Sequence, residues 1–341
     1  MRAAVVQDFK QPLLLEDVDV PTPDAGDVLI KVEACGVCHS DLSIVDGDWS
    51  QLKRIIKMPL IPGHEVVGRV VKRGNQVQHV AIGDRVGVAW LHWSCGECEQ
   101  CREGLENLCP KQAITGASVD GGYAEFIKAK ASHALLIPAA LDPAEAAPLL
   151  CAGVTVYRAV KNADIQPGQR MAVFGIGGLG HLAVQIGKTF GARVIAVDIA
   201  ADKLELAQQL GADQAINSAN EDATKIFRSM GGVHAAIVTS AAKAAYNQAF
   251  WAVRPAGTLM VVGMPAEELS FPAIMMREIK IRSVATGTRD DLRETLNLAS
   301  TGKIRCLIET NGLDEVNEIL AQMRQGRILG RAVINRFREL E

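Results

Sequence analysis

Four cysteines within one short stretch form the clearest chemical signal in the chain. In the segment SCGECEQCREGLENLCP they are Cys95, Cys98, Cys101 and Cys109. Gaps of two residues let successive thiolates turn toward one ion, and the glycines between them permit tight turns. Four thiolates fill a tetrahedral zinc site and leave no open position, so the spacing predicts a structural zinc.

Three other interpretations of this cysteine run stay open. A disulfide framework needs an oxidising compartment, yet the first residues, MRAAVVQDFKQPLLLEDV, contain no apolar run of signal-peptide length. Cysteines at such spacing also hold iron–sulfur clusters, and they can be unligated thiols. The spacing favours zinc over all three.

Three further candidate ligands are far apart in the sequence. Cys38 lies in CGVCHSD, His64 in PGHEVVG and Cys151 in LLCAGVT. Two cysteines and a histidine on one zinc would leave a fourth position for water or substrate, as catalytic zinc requires. Spacing alone does not predict that these residues meet, because a histidine in such a segment is often an ordinary core or surface residue.

A glycine-rich segment indicates a dinucleotide site. Residues 170–174 have an apolar strand pattern, and helical spacing follows to residue 190. Between them lies the run Gly175, Ile176, Gly177, Gly178, Leu179 and Gly180. The first glycine of such a motif permits the turn, the second lets backbone approach a pyrophosphate, and the last lets helix pack on strand. Unpaired N–H groups at the helix start suit phosphates, so we predict a Rossmann unit.

The end of the next strand favours NAD over NADP. Residues 193–197 form that strand, and Asp198 follows 18 residues after Gly180. A carboxylate there can accept hydrogen bonds from both ribose hydroxyls of NAD and would repel the 2′-phosphate of NADP. Lys203 is near enough in sequence to donate to the same ribose, although its position equally suits a solvated helix lysine.

Composition excludes several classes of protein. The chain has 341 residues, 36 Lys+Arg against 39 Asp+Glu, and a formal net charge of −3. This balance gives no reason to expect binding to nucleic acid or to an anionic membrane surface. The longest weakly polar stretch, residues 171–187, contains five glycines and predicts a turn and a buried helix rather than a membrane span.

Two sequence patterns divide the chain into domains. Short alternating runs at 28–33, 66–71 and 85–89, with Gly and Pro turns, predict a β-rich domain over the first ~145 residues. From about residue 153 to 286, strands and helices alternate, which predicts a doubly wound parallel sheet. Its further strands are expected at 235–239 and 258–262, with a helix at 244–253 and a turn at 254–257. The tail is expected to carry a helix at 313–324 and a strand at 331–335.

The chain resembles the zinc-dependent, medium-chain alcohol dehydrogenases, most of all their tetrameric bacterial and yeast branch. The motifs that carry the resemblance are CGVCHSD, PLIPGHEVVG, SCGECEQCREGLENLC, GGYAEF, LLCAGVTVY, GIGGLGH and VDI. The resemblance implies a GroES-like catalytic domain over 1–150 and 287–341, with a structural zinc lobe at 95–109, and a Rossmann NAD-binding domain over 151–286. It also implies a homotetramer with NAD and two Zn²⁺ per chain. A cytoplasmic location is expected because the sequence shows no secretion signal. The reaction implied is reversible oxidation of primary alcohols, with secondary or aromatic alcohols as alternatives, by hydride transfer to NAD.

The resemblance assigns roles around a catalytic zinc bound by Cys38, His64 and Cys151. Glu65 matches a carboxylate that can approach the metal when water leaves, and Asp41 matches the acid that orients the ligand histidine. Ser40 matches the hydroxyl at the head of a proton relay through the nicotinamide ribose. Cys35 and Cys306 match no ligand, and we interpret them as buried structural thiols.

Contacts to coenzyme and substrate are also implied. His39 and Arg331 match residues that contact the pyrophosphate, and arginine suits phosphate because its guanidinium donates two parallel hydrogen bonds. Backbone at three positions would hold the nicotinamide carboxamide: Val262, Val284 and Thr286. Trp49 and Trp90 match the aromatic walls of a narrow pocket that favours small primary alcohols; the alternative is that both are core aromatics.

Two features depart from the family pattern. Three residues after the relay hydroxyl, relatives often carry a histidine that passes the proton to solvent, but this chain has Ser43. Serine lacks a suitable pKa for that step, so we expect relay through water and a more alkaline pH optimum. The loop over residues 50–57 looks longer than in the yeast enzymes and borders the expected cleft, where it could reshape the pocket.

Three rival functions share part of this pattern. A polyol or aromatic-alcohol dehydrogenase of the same superfamily would keep the same sites. The zinc-free quinone or enoyl reductase branch would lack Cys38, His64 and the four-cysteine lobe, and it usually uses NADP. A zinc-stabilised binding or crystallin-like protein would keep the metal ligands without activity. The partner expected is a small alcohol or aldehyde, with neither nucleic acid nor membrane.

Overall fold

The computed structural model describes residues 1–49, 53–265 and 267–337. Its strands are β1 Arg2–Val5, β2 Leu14–Asp17, β3 Asp27–Gly36, β4 Glu65–Arg73, β5 Arg85–Val88, β6 Leu91–Trp93, β7 Ala113–Ile114, β8 Phe126–Lys130, β9 Leu135–Leu136, β10 Arg170–Phe174, β11 Arg193–Asp198, β12 Gln214–Asn217, β13 Val233–Val238, β14 Val253–Val261, β15 Lys280–Ser283, β16 Ile308–Gly312 and β17 Arg331–Arg336. Its helices are α1 His39–Asp46, α2 Glu99–Arg102, α3 Pro143–Ala146, α4 Ala152–Asn162, α5 Gly180–Thr189, α6 Ala201–Gln209, α7 Ala223–Ser229, α8 Lys243–Ala252, α9 Ile274–Arg277, α10 Arg289–Ser300 and α11 Val316–Arg324. Short 3₁₀ turns cover Glu106–Leu108, Ala131–His133, Ala147–Leu150 and Leu313–Glu315.

The chain divides into two units. The first contains Met1–Cys151, Thr288–Thr301 and Cys306–Glu341, and the second contains Ala152–Gly287 and Gly302–Arg305. The prediction placed all of 287–341 in the first unit, whereas Gly287 and Gly302–Arg305 group with the second, and Cys151, predicted in the second, groups with the first. The segment Gly302–Arg305 is the larger difference. Gln185 explains the difference, because its Oε1 accepts from Arg305 N and its Nε2 donates to Arg305 O, both at 2.9 Å.

The main sheet of the first unit is β-rich, as the alternating runs predicted. Its strand order is β16-β17-β3-β4-β5-β9, with β8 also paired to β3. Alternate residues of β3, including Val28, Ile30 and Val32, enter the apolar core of this unit. The C-terminal β17 lies beside β3, with Val333 opposite Gly36, so the tail returns to the sheet formed by the first part of the chain.

The second unit is a doubly wound parallel sheet. Its order, β12-β11-β10-β13-β14-β15, is that of a Rossmann fold. Helix α8 ends at Ala252, and the turn predicted at 254–257 lies instead inside β14. Pairing with β13 jumps there from Val253 to Thr258, so these residues form an irregularity in the strand rather than a separate turn.

None of the helices in the described ranges combines the length and apolar character needed to cross a bilayer.

Candidate functional site

The four cysteine sulfurs of the first unit lie close together. The ligand atoms of Cys95, Cys98, Cys101 and Cys109 all lie within 4.8 Å of one another. Three of the sulfur pairs are 3.6, 3.9 and 4.0 Å apart. Sulfurs about 2.3 Å from one tetrahedral zinc would be about 3.8 Å from each other, so the donor set fits that ion.

Backbone groups and two side-chain contacts support this lobe. The N–H groups of Cys95 and Cys98 each donate to a cluster sulfur at 3.4 Å, which stabilises thiolate charge. Arg289 at the start of α10 binds Glu106 through both its backbone N–H and its Nε, at 3.0 and 3.3 Å. The backbone of Ser94 donates to His133 Nε2 at 3.1 Å. The loop is therefore anchored at two points to the rest of its unit.

A second cluster brings together residues that are distant in the sequence. Cys38, His64, Glu65 and Cys151 are all buried, and their ligand atoms lie within 4.8 Å of one another. The predicted convergence of the three zinc ligands is thus present in the structure, with the neighbouring carboxylate beside them. The ligand assignment itself is a proposal, taken up below.

Sheet register explains why these residues meet. Antiparallel pairing of β3 with β4 places Gly36 opposite Glu65, so Cys38 and His64, just beyond the two strand ends, come together. A side chain at Gly36 would not fit, because a Cβ there would lie 1.8 Å from Glu65 Oε2. Cys151 follows the 3₁₀ turn Ala147–Leu150, which packs against β3, β4 and β5.

The hydrogen bonds of His64 leave one ring nitrogen available. Its Nδ1 donates to Asp41 Oδ1 at 2.8 Å, which makes Nε2 the acceptor in the neutral ring. Nε2 is buried and has no hydrogen-bond partner within the described residues. A buried nitrogen of this kind carries a desolvation cost unless something binds it. Beside two cysteine sulfurs, this orphaned atom fits zinc.

The pKa shifts in this cluster also indicate a site that favours a cation. A hydrogen bond from the Cys151 thiol holds the pKa of Cys38 well below its usual value, although burial opposes the shift. Burial lowers the pKa of His64, but Asp41 and Cys38 together raise it well above its ordinary value. The negative charges of Asp41 and the Cys38 thiolate therefore favour a positive charge in the cluster, and a metal ion bound to neutral His64 would supply it.

Arg331 and Glu65 form a buried ion pair that the sequence did not predict. The Arg331 guanidinium donates to Glu65 Oε1, and the side chains are 4% and 0% exposed. β17 brings the arginine there, since Val37 N donates to Ala332 O beside it. Burial raises the pKa of Glu65 to about 7 against the opposing charge of Arg331. The expected contact of Arg331 with pyrophosphate stays a prediction, because in this structure its charge is paired with the carboxylate.

Aromatic rings line the same region of the first unit. Trp90 meets the His64 ring edge to face, with centroids 4.9 Å apart, and Trp49 meets Trp90 at 6.1 Å. Ser40 and His39 lie on the first turn of α1, and both retain solvent exposure. Of the loop predicted to reshape the pocket, residues 50–52 lie outside the described residues.

The glycine motif of the second unit has the geometry that its sequence predicts. Gly175 follows β10 with φ of +90°, and a Cβ on Gly180 would lie 1.9 Å from Gly175 O. A Cβ at Gly177 would meet nothing within 4 Å, so open space lies in front of that backbone. The motif therefore provides a tight turn, a close helix contact and room for a ligand, and this fits a dinucleotide.

Asp198 anchors the motif from the end of β11. Its Oδ2 accepts from Ile176 N at 2.6 Å, and its Oδ1 accepts from Ile199 N and Ala200 N at 2.8 and 3.0 Å. Lys203 follows on α6, where it is half-buried. Val262 follows the end of β14, while Val284 and Thr286 follow β15. All of these positions lie at the carboxyl edge of the parallel sheet, where such folds bind nucleotides.

Comparisons with known proteins agree with this arrangement. The family described as alcohol dehydrogenase GroES-like domain matches residues 24–139, and the family described as zinc-binding dehydrogenase matches 178–301. A Geobacillus stearothermophilus protein named alcohol dehydrogenase is 49% identical over 98% of each chain.

Two solved structures have nearly the same fold. The alcohol dehydrogenase of the archaeon Aeropyrum pernix superposes with a TM-score of 0.91 at 35% identity, covering 98% of this chain and 100% of that one. Acetophenone reductase from Geotrichum candidum, in complex with NAD, has a TM-score of 0.90 at 32% identity and covers 99% of this chain and 98% of its own.

Proposed function

The chain belongs to the family of zinc-dependent, medium-chain alcohol dehydrogenases, and we propose that Cys38, His64 and Cys151 hold its catalytic zinc. The enzyme is an oxidoreductase that acts on alcohols with NAD and zinc. The observation that carries the proposed ligand set is the buried, unpartnered His64 Nε2 within 4.8 Å of the ligand atoms of Cys38 and Cys151.

Zinc in this cluster supplies Lewis acidity, which brings the pKa of an alcohol hydroxyl toward the neutral range. Asp41 fixes the tautomer of His64 through Nδ1 and so keeps Nε2 directed at the metal position. Arg331 holds the Glu65 carboxylate by one oxygen, which keeps that anion beside the cluster without leaving its charge uncompensated.

Ser40, on the first turn of α1, is proposed to transfer the substrate proton. The Ser40 hydroxyl would accept the substrate proton at Oγ and release its own hydroxyl proton to the next acceptor. Ser43 lies one turn later on the same helix and is half-exposed, but its hydroxyl cannot hold a proton as a base near neutral pH. Water would therefore carry the proton onward.

The second unit is proposed to bind the coenzyme. NAD supplies the hydride acceptor when it is bound. The backbone of Gly177 and the N-terminus of α5 would receive the pyrophosphate, and Asp198 would accept from the adenosine ribose. His39 and Arg331 are proposed to reach the pyrophosphate as well. The carboxamide is assigned to the backbone of Val262, Val284 and Thr286, and Lys203 would donate to the ribose.

The substrate is proposed to be a small primary alcohol. Trp90 packs edge to face against both His64 and Trp49. Two indole rings beside the cluster take up space that a bulky alcohol would need. Secondary and aromatic alcohols are the alternatives. Rates with ethanol, 2-propanol, benzyl alcohol and sorbitol under the same conditions distinguish these classes.

The four-cysteine lobe is proposed to hold a second, structural zinc. Its sulfur separations support this, since they match one tetrahedral ion. Reduced ligand thiols support a cytoplasmic enzyme, because oxidising compartments convert such thiols to disulfides. The proposed homotetramer is supported by the motifs shared with the tetrameric branch.

Elemental analysis with NAD-linked ethanol oxidation tests this proposal. We expect two zinc ions per chain, and one in Cys38→Ser, with kcat/KM lower by more than about 100-fold, beyond the loss typical of residues that only orient a ligand. Cys35→Ser is the matched control, because Cys35 is buried three residues away and lies outside the cluster. Full activity in Cys38→Ser would refute the proposed site, and two zinc ions without any activity would favour a binding protein.

A further inference from the structure

Asp41, the carboxylate that orients His64, accepts hydrogen bonds from four donors. Oδ1 accepts from His64 Nδ1 and Gly63 N at 2.8 and 3.2 Å. Oδ2 accepts from Cys38 N at 2.9 Å and from the Tyr123 hydroxyl at 3.0 Å. Three of the donors belong to the cluster or to its adjacent backbone. The fourth, Tyr123, comes from another segment and has no role in the reaction described above.

Backbone hydrogen bonds hold Tyr123 beside the His64 segment. Gly121 N donates to Ile61 O, Gly122 N to Gly63 O and Tyr123 N to Pro62 O, at 2.6, 2.9 and 3.0 Å. On the other side, Ala4 N donates to Tyr123 O at 2.8 Å. The tyrosine is therefore fixed relative to the residues that immediately precede the histidine.

The Tyr123 ring lies directly against Gly63. A Cβ at Gly63 would come within 2.5 Å of Tyr123 Cδ1, and Gly63 has φ of +97°, a conformation that glycine adopts without strain. The whole Tyr123 side chain is 0% exposed, so its hydroxyl cannot turn to solvent for a hydrogen bond. The ring and its backbone therefore aim the hydroxyl at Asp41.

The hydroxyl acts as a donor to this carboxylate. Burial, and then the charge of Asp41, raise the pKa of Tyr123 well above its ordinary value, so Oη keeps its proton. Two donors on each carboxylate oxygen oppose rotation of the carboxylate plane. Without the tyrosine hydroxyl, Oδ2 would keep only Cys38 N as a donor, and a buried carboxylate that loses a donor is destabilised.

We propose that Tyr123 is a positioning residue for the catalytic metal, whose hydroxyl acts through Asp41 to keep His64 Nε2 aligned with Cys38 and Cys151. This inference rests on the proposed assignment of zinc to those three ligands. Tyr123 is not among the residues whose ligand atoms form the cluster. Its effect should therefore be found in how firmly and in what geometry the metal is held.

Release of zinc to excess 4-(2-pyridylazo)resorcinol measures that effect. In Tyr123→Phe we expect one of the two zinc ions to leave about tenfold faster than in the wild type, the lower end of the loss seen when partners of ligands are removed. The other zinc, in the four-cysteine lobe, should leave at the wild-type rate and so serves as a control in the same chain.

Tyr246→Phe is the matched control. Tyr246 is likewise 0% exposed and donates its hydroxyl to a backbone oxygen, Gly263 O, which is half-buried, but it lies in the second unit. It should lose comparable stability without changing release of either zinc. Faster release of both ions in both variants would show a general loss of stability and overturn the proposal.

Cobalt substitution separates positioning from stability. With Co²⁺ in the catalytic cluster, we expect the visible ligand-field bands to shift in Tyr123→Phe and to stay unchanged in Tyr246→Phe. Bands and release rates identical to wild type in Tyr123→Phe would overturn the proposal while leaving the ligand assignment intact. Failure of the assignment has a different signature, namely two zinc ions retained in Cys38→Ser.

A second substitution keeps the proposal falsifiable if Tyr123→Phe does not fold. Incorporation of 3-fluorotyrosine at position 123 keeps the hydroxyl and makes it a stronger donor. Slower release of the catalytic zinc would support the proposal, and unchanged release would overturn it.

Discussion

The two ligand clusters of the first unit differ in how they are assembled. Cys95, Cys98, Cys101 and Cys109 lie within fifteen residues, and three of the four are partly exposed. The ligands of the other cluster range from residue 38 to 151 and are all buried. A short loop can close around an ion by itself, whereas distant residues meet only after the sheet has formed.

Their surroundings differ as well. The partly exposed four-cysteine lobe stabilises its sulfurs with backbone N–H groups. The buried cluster has charged partners of its own, since Asp41 orients His64 and Arg331 pairs with Glu65. Burial makes each unpaired charge costly, so the buried cluster requires a set of compensating residues that the partly exposed cluster does not.

Removing a ligand from the exposed lobe gives the largest expected effect on stability. In Cys98→Ser we expect loss of one zinc and a fall of about 10 °C or more in the unfolding midpoint, because the binding free energy of a structural zinc stabilises the folded lobe. Calorimetry with zinc analysis measures both quantities. Glu97→Gln is the control, since it breaks only the exposed pair with Lys111, and exposed ion pairs contribute little to stability.

A Cys98→Ser variant that keeps two zinc ions and the wild-type midpoint would contradict the contrast between a structural and a catalytic cluster. The same outcome would favour unligated thiols in the lobe.

Acid should weaken the lobe through His133, an effect of intermediate size. His133 Nε2 accepts from Ser94 N, directly before Cys95, and its Nδ1 lies 2.9 Å from Ser132 Oγ. Burial, then Arg289 and His92, lower its pKa to about 3. The unfolded chain therefore binds more protons than the folded chain between pH 6.5 and 3, and stability falls as pH falls through that range. By contrast, Asp41 raises the pKa of His64 in the other cluster.

For His133 alone, the expected loss between pH 7 and pH 5 is about 2 kcal/mol. His133→Gln removes the titrating ring and should reduce the pH dependence of the free energy of unfolding by that amount. Urea denaturation at the two pH values measures the difference. Equal pH dependence in the variant and the wild type would contradict an acid-sensitive anchor for the lobe.

The smallest expected effect concerns proton release near the buried cluster. If water carries the proton onward from Ser40, Ser43→His should supply a base and move the rising limb of the kcat profile toward neutral pH by roughly one unit. Ser43→Ala should keep the wild-type profile. Identical pH–rate profiles for the wild type and Ser43→His would exclude the proposed relay through water.

Local signals in the sequence determined much of this protein. The four-cysteine spacing, the Gly175–Gly180 turn and the acid ending β11 each act within one short segment, so neighbouring residue types and intervals were enough to predict them. Period-2 patterns likewise identified β3, β4 and β5, because one face of each strand must enter the core. The resemblance to a family then joined Cys38, His64 and Cys151, which spacing alone left separate.

Other features depended on the tertiary structure, because they involve elements far apart in the chain. Arg331 pairs with Glu65 only because β17 lies beside β3, whose end faces the start of β4. Tyr123 reaches Asp41 only because its segment runs along residues 61–63. Gly302–Arg305 join the second unit through Gln185, a contact between residues 120 positions apart. No local pattern specifies such partners, because strand register and the burial of polar groups are decided by the whole fold.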